Sequence, residues 1–329
     1  RAVLAGGDLV GRASDELLPT WDFQESSERL DAARTRTTQT YTDPVTGLQV
    51  RCVSVRYADY PVVEWTLHFR NTGETDTPIL ENIQALDARF EQREAGAFIL
   101  HHNVGSPCQA SDFEPLETVL ASPAMRTAGG LQSPPQAEKR FVAAGGRPTS
   151  SDLCYFNLQW PEGGAIIGLG WPGQWAARFS CVGTRRLRVT AGQELTHFRL
   201  HPGEEVRSPL VALLLWEGED WLRAQNLWRR WMVEHNLPRP GGKLVTQHYG
   251  ACWGNMQPRA EEELSVINGF AREGVPLEYW FIDAGWYPGR GEWVYTGTWE
   301  MDPERFPKGL REVADRVHAL GMKFVVWFE

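Results

Sequence analysis

The chain has 329 residues, enough for two domains at about 100 to 200 residues each. It carries 33 Lys and Arg against 42 Asp and Glu, a formal charge of −9, which argues against nucleic acid as a partner because such binding rests on a basic face. No apolar run approaches the ~20 residues of a membrane helix, so no membrane-spanning segment is expected.

From the N-terminus to about residue 216 the chain reads as many short strands. Leu48 to Tyr57 alternates, Val62 to Phe69 follows as VVEWTLHF, Asn71-Thr72-Gly73 turns the chain, and Pro78 to Phe90 resumes an extended pattern. The best-marked hairpin joins Tyr155–Trp160 to Ala165–Gly170 through Pro161-Glu162-Gly163-Gly164. Strands of this size between Gly, Pro and Asn clusters indicate a β-sandwich over 1–216. Ser122 to Ser151, rich in Pro, Gly and Ser, reads as one long loop. The pattern changes at Glu217: EDWLRAQNLWRRWMVEHN places Trp221, Leu222, Leu227, Trp228 and Trp231 near helical spacing, and Pro238 and Pro240 close the run. Residues 217–242 are therefore expected to form a linker helix with its Trp face between two domains. Three arginines on that helix are read as solvated rather than as a membrane or calmodulin face.

After Gly242 strands and helices alternate: Lys243 to Tyr249, a helix from Arg259 to Gly274, Leu277 to Asp283, a helix from Pro307 to Gly321, and Met322 to Phe328. Apolar strands alternating with helices mean a parallel sheet covered by helices. A closed (β/α)₈ barrel takes about 250 residues, and 243–329 is about a third of that. The expected fold is thus a β-sandwich followed by the start of a TIM barrel that stops on its third strand, as a piece of a larger protein. Arg1 is not an initiator Met, so the true N-terminus is left open.

Working residues of parallel barrels sit at the C-terminal ends of strands. That rule selects Cys252-Trp253-Gly254-Asn255, Asp283-Ala284-Gly285-Trp286-Tyr287 and Trp327-Phe328-Glu329. An acid and an indole at neighbouring strand ends suit a sugar: carboxylates accept from hydroxyls, and Trp faces pack on C–H surfaces. Plainer roles exist for each: a turn cap for Asp283, core packing for Trp253 and Trp327, a structural acid for Glu329, helix-start chemistry for Asp302-Pro303. His101, His102 and His248 lack the spacing of a metal site, and no GxGxxG, Walker or GxSxG motif is present, so neither metal nor cofactor is expected. Five scattered cysteines without a CxxC read as reduced, buried thiols in a cytoplasmic protein.

The run WFIDAGWYPGRGEW…TGTWEMDPERFPKGLREVADRVHALGMKFVVWFE resembles glycoside hydrolase family 36, the α-galactosidases. Members carry a similar strand-end Asp-Asp-Gly-Trp, a Gly-x-Trp, a Pro-x-x-Phe-Pro-x-Gly-Leu, a Gly-Met-Lys and a Trp-Phe-Glu. Upstream, VEWTLHFRNTGETDTPILENIQALD, GRPTSSDLCYFNLQWPEGG and GLGWPGQWAARF look like the β-supersandwich that precedes the family's barrel. The resemblance implies a retaining glycosidase for terminal α-galactosyl groups, with two carboxylates about 5 Å apart. In the family both are Asp on later barrel strands, so no catalytic residue is assigned here and the chain is expected to be inactive by itself. Carried over position by position, the pocket-wall Trp falls at Trp253, the sugar-binding acid pair at Asp283 and Ala284, and the third-strand Trp at Trp327; Trp286 lies in the same segment. Ala284 departs from the acid pair, which leaves room for a modified α-galactoside such as the N-acetylamino sugar. A galactosyl transferase of the same fold, a non-catalytic carbohydrate binder with a degenerate barrel, and a homo-oligomeric state are also compatible with these residues.

Overall fold

A computed structural model describes residues 3–5, 12–123, 136–245, 248–255, 257–289 and 293–328. The chain forms two compact units, Arg1–Asn236 and Leu237–Glu329.

The first unit is built on a ten-stranded antiparallel sheet among the described residues. Its path runs from Pro115–Leu120 through Phe98–Asn103, Tyr155–Trp160, Gly163–Gly170, Leu210–Glu217, Val62–Asn71, Leu48–Tyr57 and Arg34–Thr42 to Asp22–Arg29, and the tenth strand, Glu205–Arg207, pairs with Val62–Asn71 off this path. Alternation decides its inner face: in Phe98–Asn103, Phe98, Leu100 and His102 are buried while the residues between them are partly exposed. A second sheet of Glu138–Val142, Trp175–Val182, Arg186–Gln193 and Leu86–Glu91 closes over that face. Phe141, Phe156, Leu158, Trp175, Phe179 and Val189 are among the side chains of the core between them, which is the sandwich expected.

Three local readings change. Pro78 to Phe90 is not one strand but two, Ile79–Glu81 and Leu86–Glu91, in different sheets; Asn82 at φ 52° breaks the run. Ser122 to Ser151 is not all loop, since Glu138–Val142 is a strand whose Phe141 enters the core; the Gly and Pro around it masked a five-residue alternating segment. Residues 124–135 of that stretch lie outside the described residues. The 155–170 hairpin is present with a tighter turn, Trp160 pairing with Gly163 so that only Pro161 and Glu162 are loop.

The predicted linker helix belongs to the first unit. Trp221–Trp231 starts at Asp220, whose carboxylate accepts from the Arg223 amide at 2.8 Å. Ala224, Trp228 and Trp231 pack on Tyr57, Tyr60, Val62, Ile166 and Leu214, the outer face of the large sheet. Gly168 permits the approach, because a Cβ there would stand 2.9 Å from the Trp228 ring. The indole face therefore seals a sheet, which removes far more apolar area from water than a free-standing linker would.

The second unit is a three-stranded parallel sheet in the order Gly250–Cys252, Tyr279–Ile282, Lys323–Val326, with helices Ala260–Arg272 and Arg311–Ala319 as crossovers. The first strand falls later than the expected Lys243–Tyr249, of which 246–247 lie outside the described residues. Its register explains the shift: Gly250 pairs with Tyr279 and Cys252 with Phe281, so Gly-Ala-Cys, not the longer run before it, meets the second strand. Leu310, Val313, Val317 and Leu320 all join the core, with Ile267, Trp280, Ile282 and Phe306. Each helix ends near a glycine with positive φ, Gly274 at 67° and Gly321 at 78°, where a Cβ would be strained.

Candidate functional site

Parallel strands lie about 4.8 Å apart, so the residues following adjacent strands share one edge. Ile282 pairs with Val326, and the Trp327 amide extends the ladder to the Ile282 carbonyl at 3.1 Å. Trp253, Asp283 and Trp327 thus leave the three strands at the same C-terminal edge. Trp253 is 41% exposed, and Asp283 and Trp327 are half-buried. Asp283 Oδ1 accepts the Ala284 amide at 2.8 Å, and its other oxygen has no partner among the described residues. The carboxylate therefore caps its own turn and still presents an acceptor. Cys252 stands beside it: partial desolvation, then the charges of Asp283 and Glu263, push its thiol above the ordinary range. Glu329 lies outside the described residues.

Two further candidates do not face open space. Ala284 has no exposed surface, and Trp286 is 4% exposed. The Trp286 indole donates to the Trp327 carbonyl at 2.9 Å, and its ring packs on Tyr287, Trp299 and Phe328 with centroids 5.4 to 6.3 Å away. Trp286 ties the second strand end to the third, and in this arrangement its face is covered by other rings.

Sequence reasoning missed the groups that hold this edge. Arg305, 7% exposed, donates through Nη1 to the Gly285 carbonyl at 2.5 Å and through Nη2 to the Tyr287 carbonyl at 2.6 Å. Its Nε meets Asp302 Oδ2 at 2.9 Å, and the Asp302 amide donates to the Trp286 carbonyl at 3.2 Å. Burial opposes charge on Asp302, yet the Arg305 bond and the Glu304 and Arg305 amides hold its pKa below the usual carboxylate value. Glu263, with no exposed surface, accepts from the Trp280 indole at 2.7 Å through Oε2 while Oε1 is unpaired. Burial pushes its pKa up to about 7. Neither role had a local signal, since Arg305 sits in a loop between Pro303 and Pro307 and Glu263 in a run of three acids.

The histidines have protein partners. His101 stacks on Trp221 at 4.2 Å and meets Gln159; His102 bonds Thr118; His248 pairs with Glu278 at 2.8 Å. In the first unit Asp59, Glu234 and His235 bring ligand-type atoms within 4.8 Å of one another, but His235 already contacts Asp59 at 2.8 Å and both acids are exposed. The cysteines correct the expectation of five buried thiols: Cys154 is buried, Cys52 and Cys181 are intermediate, and Cys108 and Cys252 are exposed.

Residues 258–329 match the melibiase family model. The α-galactosidase of Escherichia coli is 39% identical over 167 residues, 50% of this chain and 23% of the relative. Alpha-galactosidase 2 of Pediococcus pentosaceus is 24% identical over 300 residues, 88% of this chain and 38% of the relative. Among solved structures, the Lactobacillus brevis α-galactosidase superposes with a TM-score of 0.70 at 17% identity, covering 100% of this chain and 44% of its own. A family 36 α-galactosidase of Geobacillus stearothermophilus in complex with stachyose does so with a TM-score of 0.68 at 16% identity, covering 100% and 45%. The chain thus spans less than half the length of these relatives. The melibiase match takes in the second and third strand ends and the Asp302–Arg305 turn described above, and the fold match covers both units: residues 258–329 are similar to the melibiase family, and the chain has the fold of the family 36 α-galactosidase structures.

Proposed function

We propose that the protein carrying this chain hydrolyses terminal α-galactosides with retention, and that the part in hand supplies the sandwich and the first wall of a barrel active site. The observation that carries the reading is the shared strand edge, where a half-buried carboxylate, one oxygen of which has no partner among the described residues, stands between two partly exposed indoles. A pyranose offers hydroxyls on its rim and C–H groups on its face, and this edge has a counterpart for each. Asp283 accepts a sugar hydroxyl, while Trp253 and Trp327 wall the ring. The relatives named α-galactosidase support the anomer and the sugar, and the Geobacillus stearothermophilus structure holds stachyose, an oligosaccharide.

Retention needs a nucleophile and an acid/base about 5 Å apart on opposite sides of the bond. Asp283 is assigned neither role. The family resemblance puts both carboxylates on Asp residues of later barrel strands, and no residue of the edge described above is assigned to either. Binding here acts on catalysis through differential affinity: a hydroxyl held more tightly as the ring flattens lowers the barrier.

The test is hydrolysis of an aryl α-galactoside by the full-length protein, with the β-anomer, the α-glucoside and the N-acetylamino α-galactoside alongside. Preference for the unsubstituted α-galactoside supports the reading, and preference for any of the others overturns it. Asp283→Asn should lower kcat/KM ten- to several-hundred-fold, about 1.4 to 3.5 kcal/mol, with the fold intact. Unchanged kinetics with a lowered Tm would leave Asp283 as a turn cap alone.

A further inference from the structure

Ala284 to Tyr287 is an irregular segment in which every residue is buried, so its carbonyls cannot turn to water. Three successive acceptors, the carbonyls of Gly285, Trp286 and Tyr287, are all met by one turn of chain, through Arg305 Nη1, the Asp302 amide and Arg305 Nη2. The same arginine reaches the Pro258 carbonyl at 3.4 Å, and its own carbonyl accepts the Ala260 amide at 3.0 Å at the start of the Ala260–Arg272 helix. One residue therefore links the loop after the second strand to the start of the helix that precedes that strand. Through Trp286 the connection continues to the Trp327 carbonyl on the third strand.

We propose that Arg305, oriented by Asp302, is a positioning residue for substrate: its fork fixes the segment that begins at Asp283 and so holds that carboxylate where it meets a galactosyl hydroxyl. This rests on the α-galactoside reading of the same edge. A planar guanidinium can serve two carbonyls and a carboxylate at once in a fixed geometry, whereas an ammonium cannot. Arg305→Lys therefore keeps the charge beside Asp302 and loses the fork. The loop then shifts to find other donors, and shifts of about 1 Å near a binding group cost on the order of a hundredfold in rate.

The experiment is a double-mutant cycle on kcat/KM for an aryl α-galactoside, using full-length protein. Arg305→Lys alone should lose ten- to a hundredfold. In the Asp283→Asn background the same change should lose less than threefold, because the residue it positions no longer contributes. Losses that multiply across the two sites overturn the proposal, since a purely structural role would weaken both backgrounds alike. If Arg305→Lys does not fold, the cycle is run with Asp302→Asn, which keeps the backbone bond to Trp286; a two- to tenfold loss that vanishes beside Asp283→Asn is expected, and an equal loss in both backgrounds overturns it. If the wild type hydrolyses no α-galactoside, the functional reading fails separately. The clamp is then read from amide exchange: quickening at 284–287 in the Arg305 or Asp302 variant supports positioning, and unchanged exchange there overturns it.

Discussion

In the first unit Trp228 and Trp231 lie on the outer face of a sheet whose inner face is already closed by another sheet. In the second, the strand ends depend on Arg305 and Glu263, ionisable side chains at 7% and 0% exposure. Among the described residues of the first unit the buried acid and base are only Asp43, bonded within its own turn, and His102. Apolar closure tolerates variation in side-chain shape, because it is non-directional and scales with area. Polar closure does not: donors and acceptors must meet in direction and number, so it specifies loop geometry while adding little net stability. The first unit is organised to persist, and the second is organised to hold a few backbone atoms where a ligand needs them.

The harshest way to break the contrast is Ala284→Asp, which restores a second acid at the strand end. Its Cβ has no exposed surface, so the carboxylate enters a packed site without a partner. A loss of at least about 4 kcal/mol in the second unit is expected by urea unfolding. A stable variant with faster turnover of α-galactosides would show that position 284 opens to the pocket.

Trp228→Ala tests the apolar side of the comparison. The ring sits at 4% exposure against Trp231 and Tyr155, with centroids 4.8 and 5.8 Å away. Truncation should cost about 3–5 kcal/mol in the first unit and leave the amide protection of the second unit unchanged. Equal loss in both would show that they unfold together.

The pH dependence should separate the units by sign. Burial holds Glu263 protonated up to about 7, above its unfolded value of 4.5. Its contribution is full below about pH 4.5 and is lost as pH rises through about 7, a fall of roughly 3 kcal/mol at most. Burial, then Lys139 and His101, push His102 down to about 4 from 6.5. The first unit should therefore be stable above about pH 6.5 and weaken as pH falls to about 4, by a similar amount at most. Amide exchange followed in each unit from pH 4 to 8 checks both slopes. Glu263→Gln should flatten only the second, and a second unit that strengthens with rising pH would contradict its buried acid.

The smallest change sharpens the boundary. Asp220→Ala removes the cap on the Trp221–Trp231 helix and should cost about 1 kcal/mol. The loss should appear in the first unit, to which the helix is packed, and its appearance in the second would restore the linker role.

Periodicity alone carried much of this architecture. The alternation of Leu48–Tyr57, the apolar Tyr279–Ile282 core and the Val313–Val317 stripe are local patterns, each readable because burial of one face demands it. From them came the sandwich, the parallel unit and the strand-end rule that selected the three segments holding Trp253, Asp283 and Trp327, which the family resemblance then singled out. What periodicity could not decide was partnership. The indoles of Trp228 and Trp231 are equally apolar whether they bridge two domains or cover one sheet, and only the packed neighbours choose. Asn82 could split an extended run between two sheets because a single residue with positive φ redirects the chain, a choice set by the sheets on either side. The Asp302–Arg305 turn lies furthest from local reading: its role is defined by the carbonyls of residues sixteen or more positions away that it meets, and hydrogen-bond demand of that kind exists only once the backbone is folded.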